Sequence, residues 1–96
     1  MLTHIVCWKY KSETTEAQRA EHIAKLKDLP NHITNIISFN VGADMLHLER
    51  SYHTGLVITF PDLDALDAYT VHPLHQEVVV FGKQIAEHTI SVDFVD

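Results

Sequence analysis

Apolar and β-branched residues fill Leu2 to Tyr10 in a pattern that reads as a strand. With a period of two, Leu2, His4, Val6, Trp8 and Tyr10 share one face, and Thr3, Ile5, Cys7 and Lys9 share the other. Both faces carry apolar residues, so neither is expected to be fully wet. Thr14 or Thr15 then caps a helix whose apolar positions Ala17, Ala20, Ile23, Ala24 and Leu26 run on to Leu29. Pro30 disfavours continuation. Ile36 to Val41 reads as a second strand stopped by Gly42, and Ala43 to Ser51 as a polar loop. Tyr52 to Phe60 reads as a third strand with Leu56, Ile58 and Phe60 on one face. Asp62 caps a short helix from about Leu63 to Val71, with Leu63, Leu66 and Tyr69 or Thr70 facing inward. Pro73 suits the first turn of a further helix, because its missing N–H has no intrahelical partner there anyway. That helix runs to about His88 with Val78, Phe81 and Ile85 inward, and Thr89 to Val95 is the last strand.

The predicted order is β-α-β-β-α-β, with the second helical region broken at His72-Pro73. This is the α+β, ferredoxin-like arrangement, with a four-stranded antiparallel sheet and helices on one of its faces. The other face needs a cover, and the simplest is a second copy of the chain. The expectation is a homodimer through the open sheet face, forming a dimeric α+β barrel. A chain of 96 residues is one domain, 1–96, and is small enough that association would help stabilise it.

Composition narrows the partners. Seven basic residues against 13 acidic ones give a net charge of -6, which argues against nucleic acid or an anionic membrane. The apolar runs are short, such as Val78 to Phe81, far below the ~20 residues of a spanning helix. One cysteine, Cys7, excludes an intramolecular disulfide. The opening residues have no basic leader, so a cytoplasmic location is expected. Eight histidines are many for this length and set the sign of the charge near their ordinary pKa of about 6.5.

The candidate chemistry clusters at Tyr69-Thr70-Val71-His72-Pro73-Leu74-His75. Pro73 at the first helical position puts His75 in the first turn, where the helix dipole disfavours the imidazolium and leaves a base. Tyr69, closing the preceding helix, can aim its hydroxyl at the same spot; it reads equally as a core aromatic. His72-Pro73 reads equally as a turn signal. His72 and His75 have an H-x-x-H spacing, but no further ligand cluster supports a metal, and none is expected. His4 and Asp93 sit mid-strand among apolar neighbours. If the first and last strands are adjacent, they line one face with Val6, Trp8, Leu56 and Ile58. Under the helices, that face is an apolar pocket with a few polar groups. Asp93 is then placed to orient an imidazole; the alternative is a solvated edge strand. His22, His32, His47, His53 and His88 read as surface or strand-end residues without chemistry.

The opening T-H-I-V-x-W-K-Y, the I-x-S-F-x-V-G, the A-Y-x-V-H-P-x-H-Q block and the closing V-D-F together resemble the stress-responsive A/B barrel (Dabb) family. The resemblance spans nearly the whole chain, with the Y-x-x-H-P-x-H block as its most specific part. It implies a dimeric α+β barrel. Many members have no assigned activity, while the plant members include a polyketide cyclase. By that resemblance the acid/base histidine is His75, the catalytic tyrosine Tyr69, the first-strand pocket histidine His4, and the aspartate partnering the catalytic histidine Asp93. Another pocket histidine of the cyclase falls on Thr54 here, and its first-helix phenol has no counterpart within Ala20 to Ala24.

Three functions follow as expectations. One is a cofactor-free acid/base enzyme of cyclase, isomerase or lyase type. In it His75, polarised by Asp93, removes a proton alpha to a carbonyl, and Tyr69 and His4 stabilise the oxyanion. The second is a non-catalytic stress-response protein holding a small molecule in the same pocket, with His72 and Phe81 as further contacts. The third is a cofactor-free monooxygenase of the related barrel type.

Overall fold

The computed structural model describes all residues, 1–96. Strand β1 (Leu2–Tyr10) is followed by helix α1 (Glu16–Asp28), a single 3-10 turn (Leu29–Asn31), strands β2 (Ser38–Ala43) and β3 (Thr54–Phe60), helices α2 (Leu63–Val71) and α3 (Pro73–Ile85), and strand β4 (Ala86–Val95). The four strands form one antiparallel sheet in the order β2-β3-β1-β4. This is the ferredoxin-like arrangement, with the second helical region split into two helices.

Local chemistry starts each helix where the sequence placed it. Thr15 caps α1: its hydroxyl accepts from Gln18 N–H at 3.1 Å, and the Gln18 side chain returns the bond to Thr15 N–H at 2.9 Å. Asp62 caps α2 through Ala65 N–H at 2.9 Å. Between α2 and α3, His72 has an extended backbone, the conformation favoured before a proline, and its ring Nδ1 accepts Leu74 N–H at 3.2 Å. One residue thus ends one helix and caps the next.

Several boundaries move. β2 begins at Ser38 and passes through Gly42, which pairs with Gly55 instead of stopping the strand. β3 begins at Thr54, since Tyr52 and His53 precede the pairing. α3 ends at Ile85, not near His88, because β1 captures the chain from Ala86 onward. A bulge between Lys9 and Tyr10 absorbs the extra residue at that start.

β1 lies between β3 and β4, so its inward face is the floor under the helices. Leu2, Trp8 and Tyr10 join Leu56, Ile58 and Phe60 there, and Leu26, Leu29, Leu66, Tyr69, Val78 and Ile85 close the core from above. The buried stripe of α1 differs from the expected one. Ala17, Ala20 and Ala24 are exposed, while His22 and Leu26 are buried and Leu29 and Ile33 continue the line. The stripe runs 22, 26, 29, 33, a helical spacing that passes through a histidine. On the far side of the sheet no helix packs. There Val57, Ile90, Val92 and Phe94 are exposed, with Val92 at 53%.

Candidate active site

A cavity of about 280 Å³ opens between the inward face of β1 and the helices. Val6, Leu56, Leu26 and Val78 make its walls apolar, and His4, Tyr69, His75 and His22 supply ring nitrogens and a phenol.

The helix break assembles one end of it. In an unbroken helix the Thr70 carbonyl would take Leu74 N–H, but that N–H is spent on His72. The freed carbonyl instead accepts His75 Nδ1–H at 3.0 Å and Gln76 Nε2–H at 2.5 Å. This fixes the tautomer of His75: Nδ1 carries the proton and Nε2 presents its lone pair. Tyr69, one residue before Thr70, meets the same ring with centroids 4.3 Å apart. His4 stands edge-on to Tyr69 at 6.2 Å. His4, Tyr69 and His75 therefore converge on one cavity.

Asp93 lies directly opposite His4 in the β1–β4 register, and its carboxylate accepts His4 Nδ1–H. The expectation that Asp93 polarises His75 is corrected: the carboxylate holds His4, and a backbone carbonyl holds His75. β4 is an edge strand and Asp93 stays exposed on it, with its carboxylate paired to His4. The same correction applies to three proposed ligand contacts. Ile58 is buried in the core, Phe81 packs its ring 6.1 Å from that of His22, and His72 serves as a cap; none lines the cavity. Val6, Trp8 and Leu56 do line it. Cys7 points to the opposite face of the sheet, and no group of three or more His, Cys, Asp or Glu side chains is placed to hold a metal.

Burial sets the protonation states. It pushes the Tyr69 phenol well above its ordinary pKa, so the hydroxyl stays protonated and can donate. Burial likewise lowers His75. The Thr70 carbonyl partly offsets this, and the nearby His4 and His72 add to it. The pair is thus a phenolic donor beside a neutral imidazole acceptor.

Sequence reasoning missed His22, which is 1% exposed and lines the same cavity. Its Nδ1 meets the Tyr10 hydroxyl at 2.8 Å, and that hydroxyl meets Thr54 Oγ1 at 2.8 Å. Burial lowers its pKa to about 4. His53 immediately precedes β3, the strand-end position expected of it, and is held there: its Nδ1 accepts Tyr10 N–H at 2.9 Å and its ring stacks on Tyr10. Extending the Leu26-Leu29-Ile33 spacing back by four would have found His22. Three alanines at competing helical positions hid it.

The profile of the stress responsive A/B barrel domain (Dabb) matches residues 2–96. The chain belongs to this family. Among Dabb relatives, olivetolic acid cyclase from Cannabis sativa is 30% identical over 74 residues, covering 75% of this chain and 73% of that protein. A stress-response A/B barrel domain-containing protein from Arabidopsis thaliana is 28% identical over 95 residues, covering 95% and 82%. A dimeric ferredoxin-like protein of unknown function from Thermobifida fusca superposes with a TM-score of 0.90 at 23% identity, covering 99% and 90%. That last likeness supports the Dabb fold and carries no activity.

Nitrogen-detected NMR titration of the imidazoles checks the tautomer. His75 is expected as the Nδ1–H form, with a midpoint below the ~6.5 of free imidazole. An Nε2–H tautomer, or a midpoint above that value, contradicts the assignment.

Proposed function

We propose that this protein binds a small carbonyl compound in the cavity and moves a proton on it without a cofactor, a step of the cyclase, isomerase or lyase kind. The observation that supports this most is the Tyr69–His75 contact: a protonated phenol and a neutral imidazole 4.3 Å apart in a largely apolar cavity. The substrate carbonyl oxygen accepts from the Tyr69 hydroxyl. His75 Nε2 takes the proton from the carbon alpha to that carbonyl, giving an enolate held by the phenol. His4, with Nδ1–H fixed on Asp93, presents Nε2 to the same space and is the second proton carrier, returning or accepting the proton that completes the step. A Dabb relative named as a cyclase is consistent with this class of chemistry.

The assembly proposed with it is a homodimer through the open sheet face. Exposed Ile90, Val92 and Phe94 on β4 and Val57 on β3 give that face an apolar strip, and the Thermobifida protein with the same fold is dimeric. Light scattering is expected to give twice the chain mass, and Val92→Glu to give the chain mass with the fold retained. An unchanged dimer in that variant would place the interface elsewhere.

Deuterium uptake alpha to the carbonyl of 2-octanone, followed by proton NMR in heavy water, tests the chemistry. The wild type is expected to accelerate exchange, and His75→Ala or Tyr69→Phe to lose about 10²-fold or more of the acceleration. Because His75 must be neutral and its pKa is lowered, the rate should hold from pH 8 down to below ~6.5 and fall only at more acid pH. Saturable binding with no exchange would replace this reading with that of a non-catalytic ligand-binding protein.

A further inference from the structure

The other end of the cavity contains polar atoms that the proton-transfer chemistry does not use. Trp8 stands four residues from His4 along the same face of β1, a separation of roughly 13 Å between α carbons. Its indole meets the His22 ring edge-on at 4.9 Å. His22 is 1% and Trp8 9% exposed, yet the side-chain hydrogen bond of His22 uses Nδ1 alone and Trp8 Nε1 makes none within the protein. Neither nitrogen is fully closed off, since Arg19 Nε is the only fully buried side-chain nitrogen or oxygen without a partner, and both residues line the cavity, so both nitrogens are reachable from it. Polar atoms placed this deeply depend on what occupies the cavity, water or a ligand, for their hydrogen bonds.

A glycine keeps the place open. A Cβ on Gly82 would sit 3.1 Å from His22 Nε2 and 3.7 Å from Trp8 Nε1. Behind the imidazole, the Tyr10 hydroxyl bridges His22 Nδ1 and Thr54 Oγ1, each at 2.8 Å. This relay fixes the ring and can run in either sense. If His22 Nδ1–H donates to Tyr10, Nε2 is an acceptor; if Tyr10 donates to Nδ1, Nε2–H is a donor. The indole N–H is a donor in both cases.

We propose that Trp8 Nε1 and His22 Nε2 form a recognition point for a neutral hydroxyl group, so that the molecules this cavity takes carry a hydroxyl remote from their reacting carbonyl. The assignment rests on the carbonyl-binding reading of the Tyr69–His75 end and adds to it. A hydroxyl oxygen accepts from the indole N–H while its own proton goes to His22 Nε2, or it accepts from both nitrogens when the relay runs the other way. The apolar span between Leu56 and Val78 then holds the carbon chain joining the two oxygens. The imidazole, with its pKa near 4, stays neutral and offers a carboxylate no charge. Lys83, exposed at the cavity, is the only cation lining it.

Trp8 is the sole tryptophan, so its emission reports occupancy. The probes are 2-octanone, 8-hydroxyoctan-2-one and 7-oxooctanoate. The wild type is expected to bind the hydroxyketone at least about fivefold more tightly than 2-octanone, and the carboxylate no better than 2-octanone. His22→Phe should bring the hydroxyketone-to-ketone ratio to one or below, while leaving 2-octanone within about twofold. Gly82→Ala crowds Nε2 without removing the buried ring, and should do the same; thermal unfolding checks that each variant is folded. A hydroxyl preference absent from the wild type, or surviving in both variants, overturns the inference alone. So does a preference for 7-oxooctanoate that Lys83→Met abolishes. If the wild type binds none of the three probes, the carbonyl-binding reading itself fails and takes this one with it.

Discussion

A proline that cannot continue a helix organises this molecule's chemistry. Pro73 forces His72 into an extended conformation, and the His72 ring then takes the N–H that would have closed the next helical bond. The Thr70 carbonyl is left without its backbone partner. The side chains of His75 and Gln76 supply the donors in its place. The result is an imidazole locked by its Nδ1–H, with its lone pair turned away from the backbone, against the ring of the tyrosine that ends the preceding helix. A continuous helix over the same residues would satisfy Thr70 internally and leave His75 unanchored.

The sheet supplies the other half. Because β1 is central, the residues on its inward face sit under the helices and beside both neighbouring strands. His4 therefore touches Asp93 on one side and faces Tyr69 above. Trp8, four residues on, brings the same face to His22. Two polar ends separated by valine and leucine are a consequence of strand alternation: positions 4, 6 and 8 read polar, apolar, then aromatic with a polar edge. The reverse face of the same strands carries Lys9 and His88 at one end and the Ser38–Thr59 hydroxyl pair at the other. It presents the apolar strip that a second copy is proposed to cover.

Much of this was legible in the sequence. Period-two patterning defined β1 to the residue, Asp62 and Pro73 bracketed α2, and the H-P-x-H block pointed to the break. The β1–β4 adjacency followed from the topology and put Asp93 beside His4. Two things were not legible. The partner of His75 is a backbone carbonyl, which sequence patterns do not mark, and the family resemblance implies Asp93 in that place. The depth of His22 depends on which helical stripe packs inward, and alanines make both stripes look acceptable because they are neither strongly apolar nor polar. The same weakness blurred the end of α3, where pairing with β1 outweighs the helical pattern that runs toward His88.

The most direct test of the central claim is a crystal structure with nonane-2,4-dione bound, whose enol form offers both a donor and an acceptor oxygen. The account predicts the enol within hydrogen-bonding reach, about 2.6–3.2 Å, of the Tyr69 hydroxyl and of His75 Nε2, with His75 Nδ1–H still on the Thr70 carbonyl. An enol bound elsewhere, or a His75 ring released from Thr70 and turned toward solvent, would contradict it.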